Sequence, residues 1–251
     1  MVQILSSRKV LVGMSKIIKP KGRRSIPDEL MQFGRHLVYS EGTKTEPNYV
    51  ESIKDEIATK YKCDINAIEI IIGNKDKSYN TKGLIKYALK DVRERRNRGE
   101  QINHVWFFFD KDDFPTASFN EACSKSNKLN DSKTENGEGF KYNQELNITF
   151  HSCYSNEAFE LWLYLYFEYL EASLTRTDYI KKIENKVQQK HKDYRFDKAQ
   201  TGLHRFLIEN GGSIDKAIKN AKRLCEKNKF ENPSTAVYEF AEYFLPYMKK
   251  D

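Results

Sequence analysis

The 251-residue chain is basic, with 43 Lys and Arg against 36 Asp and Glu and a formal charge of +7, and its isoelectric point is near 9.0. Hydrophobic residues at 39% and aromatics at 13% can fill a core, which excludes global disorder, while the excess charge favours a polyanionic partner such as nucleic acid. The cysteines, Cys63, Cys123, Cys153 and Cys225, are scattered and form no C-x-x-C pair, so they suggest neither a zinc module nor a disulfide framework and fit a reducing cytoplasm.

Residues 1–35 read as a basic N-terminal arm. It carries Lys16, Lys19, Lys21, Arg23 and Arg24 and serves either as a solvated tail or as a nucleic-acid contact. Its apolar start is broken by Arg8 and Lys9, which argues against a signal peptide. From His36 the pattern alternates. A strand over 36–40 precedes a helix over 46–60, with Thr43 or Thr45 as N-cap and Glu46 and Pro47 in the first turn. A strand over 67–72 ends at Gly73, and a helix over 80–98 is closed by Gly99. A strand over 104–109 stops at an Asp cluster. A helix over 116–128 leads into a polar loop, Asn130–Gly139, and a fourth strand is expected over 146–151.

This βαβαβαβ order predicts an α/β fold, a four-stranded, mostly parallel sheet flanked by helices over 36–172. Ser155 and Asn156 then read as N-caps of an amphipathic helix whose stripe is Phe159, Trp162, Leu163, Tyr166, Phe167 and Leu170. That helix is too short, and carries Glu168, for a membrane span. Residues 173–251 read as a helical, basic C-terminal region, with a helix over Ala236–Leu245 opened by Asn232-Pro233-Ser234-Thr235.

Two strands end in acids. His36–Ser40 stops at Glu41-Gly42, and His104–Phe109 stops at Asp110-Lys111-Asp112-Asp113. Ligands in parallel α/β sheets bind at the carboxyl ends of strands. If these two strands are neighbours, Glu41, Asp110 and Asp112 converge. Residues i and i+2 of an extended chain share a side, so Asp110 and Asp112 can hold Mg²⁺ or Mn²⁺ together, with Asp113 as a helper or a helix cap. Gly42 permits a tight turn with backbone close to a ligand. Glu160 borders the apolar stripe of its helix and is an additional candidate acid, whereas Glu157 lies nearly opposite.

Cations cluster twice. Arg93, Arg95, Arg96 and Arg98 crowd one helix end, where the helix dipole and solvation also explain them. Lys190, Lys192, Arg195 and Lys198 interleave with Tyr194 and Phe196, a pattern suited to phosphate contacts and base stacking. P-loop, dinucleotide-binding and nucleophile-elbow motifs are missing. The five His residues form no H-x-x-x-H cluster. His36 and His104 fall at strand starts, and only His151 is expected at the acidic edge, in a structural role.

Four segments resemble the RloB-like family. Glu41-Gly42 with Thr45-Glu46-Pro47 and Tyr49 resembles its "EGxxTEPxY". Asp110-Lys111-Asp112 resembles its "DxD". Ser155-Asn156 with Phe159-Glu160-Leu161-Trp162 resembles its "SNPxFELW", and Asn232-Pro233-Ser234-Thr235 its "NPST". Glu157 replaces the family's Pro, and Tyr166 replaces a family His. The resemblance implies a Toprim-like catalytic core, a role in anti-phage defence or abortive infection, and a separately encoded AAA/ABC-type ATPase partner. In related ATPase–Toprim pairs the Toprim subunit is a nuclease, in some cases on tRNA.

The expected activity is therefore metal-dependent hydrolysis of RNA, tRNA or DNA in the cytoplasm. Asp110 and Asp112 would hold metal, and Glu41 would act as general acid/base or second-metal ligand. Two rivals stand beside it. One is a non-catalytic nucleic-acid-binding regulatory subunit of a defence ATPase. The other is a phosphohydrolase using Asp110 as nucleophile.

Overall fold

A computed structural model describes residues 33–72, 81–112, 115–130 and 147–248. Most of the basic arm, Gly73, the loop over 131–139 and Asp113 lie outside the described residues.

The strands are β1 (His36–Ser40), β2 (Ile68–Ile72), β3 (His104–Asp110), β4 (Thr149–Asn156) and β5 (Ser234–Thr235). They form one sheet in the order β2-β1-β3-β4-β5. The first four run parallel, and β5 pairs antiparallel with β4. Helices α1 (Thr45–Tyr61), α2 (Thr81–Asn97) and α3 (Thr116–Lys128) make the crossovers. The C-terminal helices are α4 (Glu160–Leu165), α5 (Arg176–Val187), α6 (Leu203–Glu209), α7 (Ile214–Asn228) and α8 (Val237–Met248).

Period-two alternation divides the sheet's side chains between two cores. Val38, Trp106 and Phe108 face Tyr49, Val50 and Ile53 of α1, together with the C-terminal helices. Leu37, Tyr39, Val105, Phe107 and Phe109 face Leu84, Ile85 and Ala88 of α2 and Phe119 and Cys123 of α3. The first core also takes Phe33, Leu207, Phe240 and Phe244. The C-terminal helices and the end of the N-terminal arm thus complete the sheet's own core.

This division places the site. The chain leaves β1 for α1 on one face and leaves β3 for α3 on the other, and β1 and β3 are neighbours. Loops that depart to opposite faces open a crevice at the carboxyl ends of those two strands.

Several details differ from the sequence reading. The sheet has five strands, not four. The fourth covers Thr149–Asn156 rather than 146–151. The polar groups at its carboxyl end find partners. Ser155 Oγ meets Thr235 Oγ1 at 3.0 Å, and Asn156 Nδ2 donates to Phe230 O at 2.7 Å. Ser155 and Asn156 are therefore strand residues paired with β5, not helix caps. Helix α4 has only six residues, all buried, so it is enclosed rather than amphipathic. Neither Thr43 nor Thr45 caps α1; Lys44 stands at that position without a side-chain cap bond.

His151 is the third residue of β4, in register with Trp106. It lies in the amino half of the sheet and not at the acidic edge. Its ring stacks on Trp106 at 3.6 Å between centroids. His151 Nε2 is 3.1 Å from His104 Nδ1, and Trp106 Nε1 donates to His36 Nδ1 at 3.1 Å. Tyr243 from α8 closes the stack through His104 Nε2 at 3.1 Å.

Candidate active site at the carboxyl edge of the sheet

The crevice between the ends of β1 and β3 holds a cavity of about 240 Å³, whose walls include Glu41, Glu46, Asp110, Asp112, Glu160, Arg176, Lys44 and Lys198. The chain continues the sheet's pairing into it. Glu41 N donates to Phe108 O at 3.0 Å, Lys111 N to Ser155 O at 2.9 Å and Asp112 N to Glu157 O at 3.0 Å. These bonds fix the backbone that carries the acids. Asp112 has a φ of 38°, a left-handed conformation that Asp tolerates better than most residues. Asp110 and Asp112 do share a side, since both reach the same nitrogen of Arg176.

Three site residues escaped the sequence reading: Lys44, Glu46 and Arg176. Glu46 falls in the first turn of α1, as expected, but its side chain is buried in the site. A Cβ at Gly42 would overlap its carboxylate, so the glycine makes room for Glu46 rather than for a ligand. The only hint was that Glu46 falls within the quoted "TEP" motif. Arg176, the first residue of α5, carried no hint beyond a readable cap, Thr175, whose hydroxyl accepts from Asp178 N at 3.3 Å. Its guanidinium Nη2 lies 3.0 Å from Asp110 Oδ2 and 2.5 Å from Asp112 Oδ1, and Nε lies 3.3 Å from Glu160 Oε2.

The acids outnumber the cation. Asp110 is pushed well above the ordinary carboxylate range by burial and then by Glu46, Glu160 and Asp112, against the pull of Arg176. Glu46 is raised to about 7 by burial and by Glu160 and Asp112, while its own backbone N–H and Arg176 oppose the rise. Glu41 is also raised to about 7, by burial first and then by Asp112 and Glu46; the Thr81 hydroxyl, donating at 3.3 Å, works the other way. Burial works against the charge of Arg176, yet Asp110, Glu160 and Asp112 outweigh it and hold the guanidinium above its usual range.

An under-neutralised set of hard oxygen donors fits Mg²⁺ or Mn²⁺. Asp110, Asp112 and Glu160 are the donors that share Arg176, and Glu46 and Glu41 line the same cavity. Among the described residues, no three acidic, His or Cys side chains already stand as a metal shell. Arg176 stands among these three instead.

The two basic clusters fall in different places. Arg95 is bound to Glu69 at 2.6 Å and Asp91 at 2.8 Å, and Arg98 to Glu100 at 3.1 Å. Arg93, Arg95 and Arg96 sit in the last turns of α2, at the amino edge of the sheet, opposite the acids. Arg95 is committed there to an ion-pair network that includes Arg35. Of the second cluster, Lys198 lines the acidic cavity, and Asn48 Nδ2 ties its carbonyl to α1 at 3.4 Å. Lys190 Nζ donates to Glu209 O at 2.7 Å, Arg195 is 4.0 Å from Glu184, and Lys192 is exposed.

Tyr166 is fully buried. Its hydroxyl is 2.8 Å from Tyr49 Oη and 2.8 Å from His204 Nδ1. Among the described residues no helix is long and apolar enough to cross a membrane.

Residues 36–243 match the model of a protein family described as RloB-like protein. No curated protein and no solved structure matches the chain.

Proposed function

The chain belongs to the RloB-like family, and on that premise we propose that it is a Mg²⁺- or Mn²⁺-dependent nuclease with a Toprim-like core. The observation that carries this reading is the meeting of acids from three elements in one crevice. Glu41 follows β1, Asp110 ends β3 with Asp112 just beyond it, and Glu160 opens α4. The strand order β2-β1-β3-β4, with acids after β1 and β3, supports the Toprim assignment.

Asp110, Asp112 and Glu160 are the residues that would hold the ion. A bound divalent cation supplies charge neutralisation at the phosphodiester and a more acidic water. Glu41, with a pKa of about 7, can take up and return a proton near neutral pH. Lys44 and Lys198 stand at the same cavity, where ammonium groups hold phosphate oxygens and fix the register of the strand. Family membership is the support for a cytoplasmic role in phage defence beside a separately encoded ATPase.

The test is cleavage of total RNA and of plasmid DNA with Mg²⁺, Mn²⁺ or EDTA, beside an Asp110→Asn, Asp112→Asn double variant. Metal-dependent cleavage by the native chain, lost in a folded variant, is the expected result. Cleavage that survives the double substitution overturns the assignment.

The second reading is a nucleic-acid-binding regulatory subunit. The observation that favours it is the closure of Arg176 over the acids. Such a subunit binds nucleic acid in EDTA, loses affinity steeply as salt rises, and cleaves nothing even with its ATPase present.

A further inference from the structure

Arg176 presents one guanidinium to three carboxylates from three positions in the chain. Nη2 is shared between Asp110 at 3.0 Å and Asp112 at 2.5 Å, and Nε faces Glu160 at 3.3 Å. The side chains of Asp110 and Glu160 are only 9% and 3% exposed. Carboxylates so desolvated need a cation beside them. A divalent ion of the Mg²⁺ type needs oxygens at about 2.0–2.1 Å. The same oxygens cannot close on an ion while the guanidinium stands between them.

We propose that Arg176 is an internal counter-ion that competes with the divalent cation for these carboxylates and so sets the metal affinity of the site. This rests on the metal-dependent reading above. Entry of the ion requires the guanidinium to leave. Departure is open to it, because the Arg176 side chain is 33% exposed and, among the described residues, its polar partners are the three carboxylates that the ion would take over. The cavity it would turn into also holds Lys44 and Lys198. A planar fork of donors released there suits a phosphate group better than an ammonium does. One side chain therefore neutralises the acids without metal and faces the substrate with it.

The experiment is titration of the full chain and of Arg176→Met with Mn²⁺ by calorimetry, beside thermal melting in EDTA. The variant should bind Mn²⁺ about tenfold or more tightly, melt lower in EDTA, and gain more from Mn²⁺ than the native chain does. Arg176→Lys, which keeps the charge but loses the fork, should fall between the two. In the native chain, the Arg176 Nε–H resonance should shift on saturation with Mg²⁺. Equal or weaker Mn²⁺ binding by folded Arg176→Met overturns the proposal alone. An Nε–H resonance unmoved by saturating Mg²⁺ overturns it as well, even where the variants fail to fold. Lack of Mn²⁺ binding by both native chain and variant overturns the metal reading, and the proposal with it.

Discussion

The carboxylate of Glu46 fills the space that a side chain at Gly42 would occupy. Gly42 follows the end of β1 and Glu46 lies in the first turn of α1, so the turn between them is built around a buried acid. Gly42→Ala should push that acid out of place while leaving the cores intact, because the obstacle is the end of a flexible side chain. Mn²⁺ affinity should fall about tenfold, or roughly 1.4 kcal/mol, with an unchanged circular dichroism spectrum. Unaltered affinity would separate Glu46 from the metal site.

Tyr166 links Tyr49 and His204 through its hydroxyl, and all three are buried. Tyr166→Phe leaves two buried polar groups without that partner, at a cost of about 1–3 kcal/mol. The urea midpoint should drop accordingly while metal-dependent cleavage persists. Loss of cleavage with undiminished stability would instead give the Tyr166 hydroxyl a part in the reaction.

Lys44, at the N-cap position of α1, and Lys198, in the segment between α5 and α6, line the same acidic cavity. If each holds one phosphate, replacing either by Ala lowers the slope of log affinity against log salt by roughly 0.7 to 0.9. The binding assay is run in EDTA to prevent cleavage. Arg95→Ala is the comparison at the opposite edge; it should reduce stability through the lost Glu69 and Asp91 pairs and leave the salt slope unchanged.

The stacked histidines set an acid limit on stability. Burial lowers His36 to about 3, with His104 adding to the effect and the Phe33 carbonyl opposing it. Burial lowers His151 to about 3, helped by His104 and His36, and it lowers His104 to about 4. Tyr243 and Trp106 are the other polar partners facing them. Above the unfolded value near 6.5 these rings are neutral in both states and add no pH dependence. Below it the unfolded chain takes up protons that the folded chain refuses, so stability falls with pH. Each ring can contribute up to about 1.4 kcal/mol per pH unit. The raised carboxyls of Glu41, Glu46 and Asp110 act in the opposite sense over the same window, so the histidine effect is read by difference: from pH 6.5 toward pH 4, His151→Gln should lose less melting temperature, or gain more, than the native chain does. An unchanged slope in the variant would place the acid sensitivity elsewhere.

Much of the fold is legible in local pattern. β1 and α3 have the expected limits, and the other crossover elements fall within a residue or so of theirs, because short apolar runs, Gly99 and the amphipathic stretches are local signals. The acids ending β1 and β3 could be placed at one edge from the same pattern, since parallel strands with helical crossovers all point their carboxyl ends one way. β4 was harder to read because its last residues are polar, and their hydrogen-bond partners lie near residues 230–235. A strand whose polar groups are satisfied from far along the chain carries no local apolar signature.

Sequence alone thus determined the class of the core, the family, and the positions of Glu41, Asp110 and Asp112 at strand ends. Tertiary structure decided what surrounds them. It buried Glu46, turned Arg176 onto acids 66 residues away at Asp110, put Lys198 at the cavity, and sent Arg95 to the opposite edge. Periodicity reports which face of an element is apolar. The charge balance of the site depends on which distant side chains share one crevice, and that is fixed only when the helices pack.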